Sequence, residues 1–499
     1  MTRESALEQR RGQGLLDSLA ERAFTRITGS DLVEGNEVRI LKDADENYPE
    51  WLEAIGGAES SILFESYIIH DDSVGRQFAE LMAEKARSGV RVRVIYDWVG
   101  AIGSSSRRLW RTMRAAGVEV RCFNPPRFDS PIGWIERDHR KMIAVDNRIG
   151  FVTGLCVGER WVGYPERGID PWRDTGVVVK GPAVADIVRA FAQTWHATGS
   201  ELPGSEIPAR ADIPVAGDVR MRVVPSMPAM GGLYRLDQIV AASARESLWL
   251  TDAYFVGTTS YIQALRSASL DGVDVRLLVP RASDVPLVGA ISRTGYRTLL
   301  EAGVRVFEWN GPMLHAKTAV SDGIYARVGS TNLNLASWVG NWELDVVVAE
   351  AEFAAAMEEM YLDDLENATE IVLSHKHRVR PIRPRQRLGR VRPIGRGSAG
   401  RAAAGAIGIG NAVGAAITNH RTLGAAEARP MFIASAVLAA LTTVGLLWPR
   451  VVTVPIAVMA GWIALSLVAK AARLWWTGGK SERKVPMTAE DDGDEDEGA

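Results

Sequence analysis

Two histidines, each followed two residues on by a lysine and five residues after that by an aspartate, carry the spacing in this chain that points to chemistry. They are His139, Lys141 and Asp146, then His315, Lys317 and Asp322. After each histidine the residues alternate polar and apolar, which reads as a β-strand, so imidazole and ammonium leave one face and converge on one spot. An imidazole there can attack, or move a proton, while the ammonium holds an anion beside it. A single strand histidine is usually only a half-buried polar residue. Two pairs in matching surroundings suggest one composite site. A histidine so used needs its second ring nitrogen held by an acceptor. His70, His196, His375, His377 and His420 lack a lysine partner at this spacing.

The elements that must position these pairs also occur twice. SILFESYII from Ser61 is an apolar strand too continuous to face water on one side, and GRQFAELMAEKARSG has helical spacing with Gly89 as its stop. VRVRVIYD, the helix RRLWRTMRAAG and VEVRCF follow. ESLWLTDAYFV, GVDVRLLVP and EAGVRVFEW repeat that order, with Gly89 answered by Gly272 and Gly117 by Gly303. A period near 180 residues is a domain duplication rather than a solenoid. The expected fold is α/β: two lobes, 36–200 and 218–365, joined by the linker 201–217 and facing each other about a pseudo-two-fold axis.

The two motifs resemble the H-x-K-x4-D signature of the phospholipase D superfamily. The second matches in full, with Gly329, Ser330 and Asn332 after Asp322; the first keeps Gly154 but has Thr153 where glycine is usual and Cys156 where asparagine belongs. ESYIIHDDSVG, GVRVRVIYD, AYFV, SDVPL and MLHAK resemble the bacterial cardiolipin synthase subgroup. The resemblance implies α/β/α sandwich lobes, His139 as nucleophile and His315 as the acid for the leaving alcohol. It also implies Asp174 and Glu343, in WRD and NWE, as the orienting acids. Lys141 and Lys317 would hold the phosphoryl oxygens, with Ser330, Asn332 and Thr153 as neutral phosphate contacts. Asp146 and Asp322 read as turn and scaffold residues. The lysines supply the charge a metal would bring, and neither metal nor cofactor is expected.

Net charge is only -3, but Lys376–Arg401 holds ten cations and no acid, whereas 490–497 is almost wholly acidic. Two cysteines, Cys122 and Cys156, make no disulfide framework. Met431–Trp448 and Val451–Ala469 are apolar runs of 18 and 19 residues. At about 1.5 Å per residue each approaches the thickness of a hydrocarbon core, and together they suggest a transmembrane hairpin over 431–470 with Trp448 at its turn. The remaining expectations are a helical leader (1–35), a basic juxtamembrane segment (366–401), a Gly/Ala-rich weakly apolar segment (402–430) and a polar acidic tail (471–499). Of the fifteen tryptophans, Trp51, Trp98, Trp134, Trp161, Trp172, Trp338 and Trp342 fall in loops or near motif ends; core packing is the expectation for most tryptophans, and a lipid interface for some. The positive-inside tendency puts both hairpin ends, and the catalytic lobes, on the cytoplasmic side of a bacterial inner membrane. The partners implied are the bilayer and anionic phospholipid, with phosphatidylglycerol joined to phosphatidylglycerol as the leading reaction. Hydrolysis to phosphatidic acid and nuclease action share the mechanism; no obligate nucleic acid is expected, because the folded part is not basic throughout.

Overall fold

Strands whose every residue is apolar or small must be covered on both faces, and the two lobes do this in the same way. The computed structural model describes residues 21–127, 133–373, 379–381 and 428–481. In the first lobe the strands lie in the order Glu119–Phe123, Arg91–Asp97, Ser61–Ser66, Lys141–Val145, Ile149–Thr153, Thr175–Lys180, Val33–Lys42. The first three are parallel and the rest antiparallel. The second lobe repeats the order with Arg305–Trp309, Asp274–Pro280, Ser247–Thr251, Thr318–Ser321, Tyr325–Gly329, Asn341–Ala349 and Val219–Ser226. The last strand of each set pairs with the other, Val33 opposite Met221, so the two sheets are joined edge to edge.

One face of each sheet carries its own helices, Ser73–Arg87 and Arg107–Ala115 in the first lobe, Thr259–Leu270 and Pro286–Leu300 in the second. The helix-ending glycines come in pairs of like conformation, Gly89 and Gly272 both at φ 97° and Gly117 and Gly303 at 98° and 92°, a region only glycine enters freely. The other faces meet. Leu63, Met142, Val177, Phe191 and Trp195 of the first lobe share one buried apolar cluster with Met221, Val328, Leu344, Val346 and Met357 of the second. The lobes are thus fastened by a core, and both lie in a single compact unit, while the chain from Val437 on belongs to another.

The lobe edges differ from expectation. Ala368–Leu373 pairs antiparallel with Arg305–Trp309, Val306 opposite Ile371, and is itself flanked by Val379–Pro381, so the sheet extends past 365. A strand there covers backbone groups that Arg305–Trp309 would otherwise present as an open edge. The linker is packed: Leu202 and Ile213 are buried in the interlobe cluster. Phe24 and Ile27, at the end of the leader, pack against the second lobe. Residues 1–20, most of the basic run, the Gly/Ala-rich segment to 427 and the tail from 482 lie outside the described residues.

Trp51, Trp161, Trp172 and Trp338 are all buried and so belong with the core-packed rings, while Trp98 and Trp342 are half-buried. Trp51 packs tilted or edge-on against Tyr48 and Phe78 in the first-lobe core, and Trp338 likewise against Tyr234 and Tyr261 in the second. At the C-terminus, helices Ala428–Leu447 and Pro449–Ser481 are separated at Trp448. Among the described residues one helix, Pro449–Ala472, has the length and apolar composition of a membrane span, where the sequence suggested two.

Candidate active site

Each motif histidine sits just before its strand, His139 ahead of Lys141–Val145 and His315 ahead of Thr318–Ser321, and its backbone is held by the other lobe. Arg137 and Asp138 pair in parallel with Asn341 and Trp342, and the His139 N–H donates to Trp342 O at 2.8 Å. In the symmetric place, Arg173 bridges to Leu314 and the His315 N–H donates to Arg173 O at 2.7 Å. The acid that follows each of these tryptophan-containing segments therefore lands beside the histidine of the opposite lobe. Nδ1 of His139 lies 2.9 Å from Oε2 of Glu343, and Nδ1 of His315 lies 2.6 Å from Oδ2 of Asp174. With Nδ1 engaged, the free ring position of each histidine is Nε2, and both rings line one cavity together with Lys141, Cys156, Asn332 and Trp172.

The alternation of HRK splits its side chains between two faces. His139 and Lys141 serve the cavity. Arg140, fully buried, turns the other way and donates to Ala190 O and Thr194 Oγ1 of its own lobe and to Ser226 O and Glu343 O of the other. Both lysine ammoniums donate to the carbonyl of their own motif histidine, Lys141 to His139 and Lys317 to His315. Aromatic rings fill in around the imidazoles: Tyr67 lies 5.1 Å from His139, and Trp161, Trp172 and Tyr254 lie within 5.9 Å of His315.

Burial lowers the pKa of both imidazoles to about 4, with Glu343 opposing the shift at His139 and Asp174 at His315. Both histidines are consequently neutral at pH 7. Burial also brings Lys317 down to about 8. Asp174 is held at about 2 in spite of its burial, chiefly by His315 and Lys317.

The other residues singled out in the sequence divide. Asn332 lines the cavity, and its Oδ1 has no partner among the described residues. Ser330 spends its hydroxyl on Glu343 Oε2, at 2.5 Å, and accepts from Leu344 N. Thr153 accepts from Leu155 N at 3.0 Å. Neither is among the residues that line the cavity: the Ser330 hydroxyl is taken up by Glu343 and Leu344, and Thr153 Oγ1 braces its own turn through Leu155 N. Asp146 and Asp322 lie away from the cavity at φ 54° and 53°. Asp146 accepts from the N–H of Glu59, Ser60 and Ser61, and Asp322 from those of Arg245, Glu246 and Ser247. These hydrogen bonds hold Asp146 below the usual carboxylate range although partial burial works against it. Asp146→Ala should cost about 2 kcal/mol of stability, allowing for solvent screening of a half-exposed carboxylate, with turnover per folded molecule kept. Because its folded pKa is depressed, that contribution is complete above about pH 4 and is lost as pH falls through the folded value. Urea titrations of both proteins at pH 7 and pH 3 check this.

Sequence reasoning missed several participants. Trp161 donates from Nε1 to Asp174 Oδ2 at 3.0 Å, and Asn341 donates to Glu343 Oε1 at 3.0 Å, so each orienting carboxylate has a second anchor. Asn341 stands in the NWE segment already singled out. Tyr67 and Tyr254 occupy related places in ESYII and AYFV, a recurrence that marks them in hindsight. Trp161 has no counterpart by spacing and carries no such signal.

A family model described as cardiolipin synthase, PLD-like domain, matches residues 51–195 and 238–365. Cardiolipin synthase A of Pseudomonas fluorescens (strain SBW25) is 35% identical over 378 residues, 74% of this chain and 76% of that protein. Cardiolipin synthase of Alkalihalophilus pseudofirmus is 32% identical over 371 residues, covering 74% and 73%. Among solved structures, phosphatidylserine synthase of Haemophilus influenzae Rd KW20 superposes with a TM-score of 0.56 at 14% identity, over 70% of this chain and 91% of that one, a likeness of fold. With the family model covering more than half of its length and such relatives across about three quarters of it, this chain belongs to the phospholipase D superfamily, in its cardiolipin synthase PLD-like domain family.

Proposed function

We propose that the protein transfers a phosphatidyl group between alcohols through a phosphohistidine, and that its principal reaction joins two phosphatidylglycerols into cardiolipin with release of glycerol. The observation that carries this reading is the pair of histidine–carboxylate contacts on one cavity, His139 with Glu343 and His315 with Asp174. Nε2 of His139 attacks phosphorus, and the leaving glycerol oxygen takes a proton from His315. The acceptor hydroxyl then gives its proton back to His315 as its oxygen displaces His139, so bonds and protons balance over the cycle. Lys141 and Lys317 stabilise the charge that gathers on the nonbridging oxygens, and the amide of Asn332 adds a neutral donor. Burial keeps His139 unprotonated and ready to attack. The incoming phosphodiester anion offsets that burial and raises the affinity of His315 for the proton it must supply. Storing the diester's energy on His139 makes the exchange possible without a nucleotide.

The names of the relatives support this choice among the phosphodiester reactions, and so does the apolar helix Pro449–Ala472, which suits an enzyme whose substrates lie in a bilayer. The purified protein, given labelled phosphatidylglycerol in mixed micelles, should yield cardiolipin and glycerol in equal amounts. Phosphatidic acid as the main product would sink the transferase reading, and cleavage of single-stranded DNA in its place would move the protein to the nuclease class.

The membrane part of the reading is a two-helix hairpin, Ala428–Leu447 and Pro449–Ser481, with both ends and the lobes on the cytoplasmic face of the inner membrane. Lys470, Arg473, Lys480 and Lys484 favour that side. Deleting 428–481 should move the lobes from the sedimenting to the soluble fraction. Protease added to the periplasmic side of intact spheroplasts should leave the lobes whole, and their digestion there would reverse the orientation.

A further inference from the structure

We infer that Arg137 is a specificity-determining residue that binds the phosphate of the acceptor lipid, selecting an anionic alcohol over water or a neutral one. The inference deepens the proposed cardiolipin reaction and rests on it. Two phosphates must be handled there, the one undergoing transfer and the one the acceptor already carries. The histidines and the motif lysines are committed to the first.

Arg137 lines the same cavity as His139, Lys141 and His315, yet its side chain is 1% exposed. Its guanidinium is clamped from behind: Nη1 donates to Asp97 Oδ1 at 3.2 Å and Nε to Ile135 O at 3.3 Å. Nη2 has no hydrogen-bond partner among the described residues. Asp97 has little left to give, since Oδ1 also accepts from Val99 N and Gly100 N and Oδ2 accepts from Asp138 N. A buried cationic N–H without an acceptor is destabilising, and a phosphate oxygen is the acceptor a guanidinium fork fits best.

The register agrees. Arg137 and His139 are alternate residues of an extended run, so they share a side and stand about 6.6 Å apart along it. In the acceptor, three glycerol carbons separate the attacking hydroxyl from its own phosphate. A phosphatidylglycerol whose phosphate rests on Arg137 therefore has its terminal hydroxyl directed toward phosphorus on His139. Water and short neutral alcohols gain nothing from that contact.

The test uses the purified full-length protein with phosphatidyl-p-nitrophenol as donor, and phosphatidylglycerol and butanol as competing acceptors. Arg137→Lys keeps a charge opposite Asp97 but cannot fork to a second anion. It should lower the ratio of cardiolipin to phosphatidylbutanol at least tenfold, through a raised KM for phosphatidylglycerol as acceptor. An unchanged ratio, or equal loss of both products, overturns the assignment. The double variant Arg137→Gln with Asp97→Asn removes the buried pair together, so that no lone charge is left to unfold the protein, and should show the same fall in the ratio. Wild-type protein that forms phosphatidylbutanol but no cardiolipin would overturn the acceptor reading itself, an outcome distinct from cardiolipin formation that ignores Arg137.

Discussion

His139→Ala should abolish phosphatidyl transfer, lowering turnover by at least about 10⁴-fold, whereas His315→Ala should lower it by roughly 10²–10⁴-fold. The two losses differ in kind as well as size. With phosphatidylglycerol as donor both variants fail, because the glycerol oxygen is a poor leaving group without a proton. A nitrophenyl phosphodiester needs no acid. His315→Ala should then release a burst of nitrophenol and stall as a phosphatidyl-histidine at position 139, since no base remains to activate the acceptor. His139→Ala should give neither burst nor adduct. Rapid quench with mass spectrometry of the peptide carrying residue 139 reads both, and an adduct on His315 in the wild-type protein would exchange the two roles.

Glu343→Gln and Asp174→Asn should each cost roughly 10²–10⁴-fold, because an amide can present the wrong atom to Nδ1 and let the imidazole take the wrong tautomer. The contacts across the lobes decide which step each variant damages. Glu343 holds His139 and Asp174 holds His315. Glu343→Gln should accordingly slow the nitrophenol burst as His139→Ala does, though it lies in the second lobe. Asp174→Asn should leave the burst largely in place and let the phosphohistidine accumulate, as His315→Ala does. If the phenotypes instead followed the lobe in which each acid resides, the exchanged pairing would not be the working one. The backbone exchange behind it, His139 N–H to Trp342 O and His315 N–H to Arg173 O, is independent of the side chains and should survive both substitutions.

Much of the fold was legible because duplication doubles every weak signal. The glycine pairs, the continuous apolar strands and the two H-x-K runs each recur, and the strand order does repeat from lobe to lobe. Less legible were residues whose significance depends on what they meet. Thr153 and Ser330 have the right chemistry for phosphate, but Ser330 gives its hydroxyl to Glu343 and Thr153 accepts within its own turn. Spacing could not divide the tryptophans near the motifs between core and interface: Trp51 and Trp338 fill cores, and Trp161 and Trp172 wall the site. Ala368–Leu373, short and beside a run of cations, could not be assigned to a sheet from local pattern, because an edge strand owes its stability to the neighbour it pairs with.

The sequence by itself determined that there are two lobes and that each contributes an imidazole and an ammonium two residues apart on one side of an extended run, while the two orienting acids came with the family resemblance. Periodicity and recurrence are local properties of the chain, so they can be read along it. Only the tertiary structure decided which acid serves which histidine, that Arg140 ties the lobes together from behind the site, and that Arg137 Nη2 has no hydrogen-bond partner among the described residues. Those facts come from the packing of one lobe on the other. Residues 139 and 343 are joined by a 2.9 Å contact that no spacing within either lobe encodes.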